Sequence, residues 1–164
     1  MIRPMFGWHG LRRAGVTLAL LAGVALTLGP AQGGGKKSDA EVKAAAKADP
    51  TGRDGKQTIH LTLTINKGWY IYANPVGNED FAANATTVSV KSKLQAIDIV
   101  YPAGKLKKDN VVGDYRIYED QVTIPIQVRR APGDAGPLEL NVRVNACNTK
   151  MFCLPPGTIK VTVR

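Results

Sequence analysis

Cysteine and histidine are scarce in this chain of 164 residues, with two of each. So few ligands do not build a Cys/His zinc centre, and a Ser-His-Asp triad has only His60 to use once a leader carrying His9 is removed. Neither a metal nor another cofactor is therefore expected. Charged residues make up only 21% of the chain and aromatics 6%. The basic surplus is scattered and is not gathered into a stripe with aromatics between, which argues against a nucleic-acid partner. There is no internal repeat, and the length predicts one domain.

One long apolar run is present, from Ala14 to Leu28, with Arg3, Arg12 and Arg13 ahead of it and Gly29-Pro30-Ala31-Gln32-Gly33 behind. It is short and rich in Gly and Ala for a membrane span, and small residues follow it, so residues 1–31 read as an export signal that is cut away. No cysteine follows that would carry a lipid, and no stable membrane span is expected after removal. Loss of the three arginines leaves 19 basic against 13 acidic residues, a formal charge of +6.

Residues 32–56 read as a flexible tether, because Gly33 to Asp54 is Gly, Lys, Ala and Asp with almost nothing large and apolar. Within it, Ser38 and Glu41 have capping-box spacing and predict a short helix through Ala48, ended by Asp49-Pro50.

From residue 57 to 164 the period is two. Ile59, Leu61, Leu63 and Ile65 alternate with Thr58, His60, Thr62 and Thr64, the pattern of a strand with one buried face. Lys67-Gly68 turns the chain into Trp69-Tyr70-Ile71-Tyr72, and further runs follow at Thr86 to Val90 and Ala96 to Val100. Val122, Ile124, Ile126 and Val128 alternate again, with Pro125 on the opposite parity, which suits an edge strand or a bulge. Leu138 to Val144 and Ile159 to Val163 complete about seven strands, predicting an all-β, immunoglobulin-like antiparallel sandwich.

The candidate site is Cys147 and Cys153, in Asn145-Ala146-Cys147-Asn148-Thr149-Lys150-Met151-Phe152-Cys153-Leu154-Pro155-Pro156. Export makes a disulfide between them the default. As a staple it is poorly placed, since so small a loop removes only about 2 to 2.5 kcal/mol of unfolded-chain entropy. Continuing the alternation of the preceding strand puts Cys147 on the polar face with Arg143 and Asn145, open to an incoming thiol. Lys150 is either a support for a thiolate or a solvated loop lysine.

These surroundings resemble the amino-terminal periplasmic domain of the thiol:disulfide interchange protein DsbD. Besides the Phe-Cys-x-Pro-Pro ending at Phe152 to Pro156, Ile65-Asn66-Lys67-Gly68-Trp69-Tyr70-Ile71-Tyr72 is similar to that family's early strand pair. A third block, Gly113 to Asp120 followed by Val122-Thr123-Ile124-Pro125, is similar to the segment after its cap loop. The resemblance covers roughly residues 57 to 164. It implies a periplasmic domain that relays reducing equivalents as a component of a protein-disulfide reductase. Cys153 would form the mixed disulfide and Cys147 would resolve it. The implied partners are thioredoxin-like proteins, as electron donor and acceptor in trans, with a separate membrane electron transporter behind the donor and cytochrome c assembly among the destinations. A cap loop shielding the disulfide falls on Asp109, Asn110, Val111, Val112 and Gly113, with Val111 and Val112 where the family has aromatics and Asn110 in place of a second acid.

Tyr70 and Tyr72 stand as possible supports of the site, although core packing of at least two of Trp69, Tyr70 and Tyr72 is the simpler expectation. Asp109 is weighed as a proton-transfer aid against an ordinary loop acid. A non-catalytic immunoglobulin-like binding module, with the disulfide as a local clamp, is the competing reading.

Overall fold

The alternating runs become strands, and their apolar parities meet in one core. The computed structural model describes residues 35–164 except positions 93, 95 and 151, so the export signal expected at 1–31 lies outside the described residues. The strands are β1 (Val42–Ala48), β2 (Lys56–Ile65), β3 (Trp69–Tyr72), β4 (Thr87–Lys91), β5 (Ala96–Ile99) and β6 (Lys105–Lys107). They are followed by β7 (Tyr115–Glu119), β8 (Gln121–Arg129), β9 (Leu138–Val144), β10 (Ala146–Asn148) and β11 (Gly157–Val163). All pairings are antiparallel, in sheets ordered β1-β2-β8-β5, β10-β3-β7-β6 and β11-β9-β4. The fold is thus all-β and antiparallel, as the period-two runs predict. No helix among the described residues is long and apolar enough to cross a membrane.

Ile59, Leu61 and Leu63 of β2, Ile124 and Ile126 of β8, and Leu138, Leu140, Val142 and Val144 of β9 are fully buried in the same cluster. Each such side chain contributes about 1.5 to 3 kcal/mol by leaving water. Across the sheet junction Ile71, Tyr118 and Ala146 join that cluster, which fixes the second sheet against the first and third.

Two sequence expectations fail for identifiable reasons. Residues 38–48 are neither tether nor α-helix. Ser38–Glu41 is a single 3-10 turn, and β1 pairs along β2 from Val42 opposite Ile65 to Ala48 opposite Ile59. The Ser38 hydroxyl does not cap its own turn; it bonds the backbone near the cysteines. Ala44, Ala46 and Ala48 pack against the core while Lys43, Ala45 and Lys47 face solvent, so a ladder to β2 outweighs the helix preference of Ala and Lys. Pro125, for its part, lies in an interior strand, since β8 pairs with both β2 and β5. Its carbonyl accepts from Val100 N (2.9 Å) beyond the end of β5. The side of Pro125 that lacks an N–H therefore faces the point where β5 runs out, and the ladder to β5 ends there.

Glu41 anchors the turn. Its carboxylate is almost wholly buried, pairs with Lys36, and accepts from Asn66 Nδ2 at 2.8 Å. The Lys36 and Asn66 hydrogen bonds hold its pKa below the ordinary carboxylate value. A depressed carboxylate stabilises the fold fully above its unfolded pKa, and that contribution fades as pH falls through the folded one. Glu41→Gln should lower stability at pH 7 by about 1 kcal/mol, since the exposed Lys36 keeps most of its hydration. The deficit should narrow as pH falls below about 4, which thermal unfolding across a pH series would measure.

Candidate functional site

The second sheet has two apolar faces, and the site is built on the one turned from the main core. Alternation along β3 sends Ile71 into the main core and Tyr70 and Tyr72 to the opposite side. β7 divides in the same way, Tyr118 against Tyr115 and Ile117, and β10 divides Ala146 from Cys147. Cys147 sits opposite Tyr70 in the ladder and shares a small cluster with Tyr70, Tyr72, Val76, Tyr115 and Ile117. Phe81 closes it, stacking on Tyr72 at 5.3 Å and lying 5.0 Å from Tyr115.

Cys147 and Cys153 form a disulfide, with sulfurs 2.01 Å apart and Cα atoms 4.0 Å apart. The two ends differ sharply: Cys147 is 0% exposed, whereas Cys153 is exposed. The expectation that Cys147 continues the polar parity of Arg143 and Asn145 is therefore wrong. Parity is carried only within one strand, and at Asn145 the chain leaves the β11-β9-β4 sheet for the β10-β3-β7-β6 sheet, so Asn145, Ala146 and Cys147 are all buried in succession. Access to the bond survives, through Cys153.

The buried sulfur has a polar neighbour. The Tyr72 hydroxyl lies 3.7 Å from Cys147 Sγ, and Tyr70 and Tyr115 hydroxyls are 3.4 Å apart beside it. Burial pushes the Tyr72 phenol above its ordinary pKa, as it does Tyr70, so both keep their protons at neutral pH. Tyr72 can thus donate to a thiolate formed on Cys147. Lys107 stands over this cluster, with Nζ 4.1 Å from the Tyr70 ring centre and 5.6 Å from that of Tyr115.

The loop between the cysteines is held by a residue that the sequence reading passed over. Asn148 Oδ1 accepts from Lys150 N (2.9 Å) and Phe152 N (3.1 Å), and Asn148 N donates to Phe152 O (2.9 Å). An Asn that bonds the backbone two residues on is a turn-former, and that signal was legible. Lys150 is exposed and makes no ion pair among the described residues. Phe152 is 58% exposed, edge-on to Trp69 at 6.5 Å.

The segment expected to cap the disulfide is arranged otherwise. Val111 is 92% exposed, so its side chain shields nothing, and Val112 and Asn110 are exposed as well. Asp109 turns its carboxylate back to accept from Val111 N (2.9 Å) and Val112 N (3.2 Å), which lowers its pKa and commits it to its own loop. An ionised, locally bonded carboxylate is a poor proton donor.

The profile described as thiol:disulfide interchange protein DsbD, N-terminal, matches residues 39–164. The chain belongs to that family. DsbD of Actinobacillus pleuropneumoniae serotype 5b is 27% identical over 147 residues, which is 88% of this chain and 22% of that protein. DsbD of Escherichia coli K12 is 26% identical over 106 residues, 65% of this chain and 16% of that protein. The chain thus spans a small part of the curated DsbD proteins it matches. The reduced form of the Neisseria meningitidis DsbD amino-terminal domain superposes with a TM-score of 0.46 at 17% identity, covering 76% of this chain and 84% of that one. The DsbD match begins at Asp39 and so takes in β1, which the composition had assigned to a tether.

The burial difference predicts unequal thiols. In the reduced protein, iodoacetamide should label Cys153 at least about tenfold faster than Cys147, as peptide mass spectrometry over a time course would show.

Proposed function

We propose that this DsbD-type domain carries out thiol:disulfide interchange through Cys147 and Cys153 in the periplasm, passing reducing equivalents between thioredoxin-like proteins. The observation that carries the reading is the unequal exposure of the two sulfurs. Exchange is an in-line attack, so only the sulfur that a second protein can reach serves as its target, and here that is Cys153.

In the reducing direction, a partner thiolate attacks Cys153 Sγ. The Cys147–Cys153 bond breaks, a partner–Cys153 disulfide forms, and the bonding pair leaves on Cys147 Sγ. Tyr72 is placed to donate a hydrogen bond to that thiolate. The partner's second thiolate then attacks its own sulfur in the mixed disulfide and releases Cys153. Two electrons and two protons pass in all, leaving the partner oxidised and this domain a dithiol. Run backwards on a different partner, the same steps hand the electrons on: Cys153 attacks that partner's disulfide, and Cys147 resolves the intermediate. Cys147 never has to meet the partner, in keeping with its burial. The rim that a partner meets around Cys153 includes the exposed Phe152 ring and Trp69 beside it.

Cys147→Ser removes the resolving thiol and leaves the exposed one. Incubated with periplasmic extract, the variant should accumulate a mixed disulfide through Cys153 with a protein of thioredoxin fold, identified by mass spectrometry after non-reducing separation. If Cys153 traps no such protein while remaining free and reactive, the disulfide is a clamp in a binding module.

A further inference from the structure

Ser38 is fully buried, 108 residues from Ala146, and its side chain touches both arms of the disulfide loop. Its Oγ accepts from Ala146 N at 2.8 Å, one residue before Cys147. The same hydroxyl lies 2.9 Å from Pro155 O and 3.3 Å from Leu154 O, two and one residues past Cys153, where it donates. Ser38 N also donates to Pro155 O (3.0 Å), and Leu154 N bonds Ala146 O across the arms (2.9 Å). One hydroxyl is thereby both acceptor from the first arm and donor to the second.

The turn that carries it is firmly seated. Glu41 is pinned by Lys36 and Asn66, and Val42 enters the β1 ladder immediately afterwards. On the far side, a Cβ at Gly157 would collide with Asp39, so the close approach of the turn to the chain leaving the loop requires glycine there. None of these contacts involves the sulfurs, and the proposed exchange does not use them.

We propose that Ser38 is a positioning residue for the disulfide: its buried hydroxyl holds the backbone arms of Cys147 and Cys153 together when the bond is open, and so favours reclosure. Two thiols kept in register have a high effective concentration toward each other. With the hydroxyl absent, Ala146 N loses its acceptor at the base of the loop and the arms gain freedom in the dithiol state. The inference rests on the reading that the bond opens in use, but its test does not require a physiological partner.

The test equilibrates the folded protein with glutathione. One protein disulfide and two glutathione thiols give one protein dithiol and one glutathione disulfide, and the ratio is read by thiol trapping. Ser38→Ala should lower the equilibrium constant for disulfide formation about tenfold relative to the unaltered chain. By linkage, the oxidised variant should then lose more stability than the reduced one, by the same factor. An unchanged equilibrium, with oxidised and reduced forms destabilised equally, would show a packing role only and overturn the proposal. Should the variant not fold, amide exchange in the unaltered reduced protein decides: protection of the Ala146 amide is expected, and exchange at the rate of an open amide overturns the proposal. Failure of the interchange reading looks different, as an unaltered pair that does not exchange with any thioredoxin-fold protein.

Discussion

The short ladder between β10 and β3, with Cys147 opposite Tyr70, governs the rest of the site. It lays one sulfur against the outer face of the second sheet, beneath Tyr70, Tyr72 and Tyr115, while the next residues turn back into solvent and return with Cys153 exposed. A disulfide placed across such a boundary is chemically polarised. Cys153 is open to solvent, whereas Cys147 lies in a cluster that is apolar except for its phenol hydroxyls, of which those of Tyr70 and Tyr72 are held protonated by burial. Desolvation there opposes a bare thiolate, and the Tyr72 hydroxyl, 3.7 Å from Cys147 Sγ, is the polar group placed to offset it.

Much of this was legible in the residues, for a physical reason. β2, β8 and β9 bury one face against a shared core, and a half-buried strand writes itself as strict alternation. The cysteine loop and the two other matching blocks are readable because they are contiguous. What escaped depends on contacts between distant segments. Nothing local in Val42 to Ala48 opposes a helix; its strand state is decided by the ladder to β2. The face of Cys147 does not follow from a two-residue period carried through Asn145, because the chain changes sheets there. Ser38 has the local spacing of a helix cap, whereas its actual partners lie more than a hundred residues away.

The segment 109–113 shows the opposite limit, in which a matched position differs from the family in its side chains and their contacts. With valines at its tip and Asp109 engaged by its own loop, it leaves Val111 in solvent and Cys153 open. Cys147 itself is buried, and at the loop's base Leu154, Pro155 and Ala146 meet Ser38. The exposure of Cys153 and the backbone contacts at the base of its loop thus come from separate parts of the fold.

The account stands or falls on whether the bond is poised to open. The midpoint potential of the unaltered Cys147–Cys153 pair, set against thioredoxin and glutathione couples, measures that directly. A working pair should equilibrate within the span of thioredoxin-like proteins, roughly −270 to −120 mV, whereas a midpoint below about −300 mV would mark a structural staple and contradict the account.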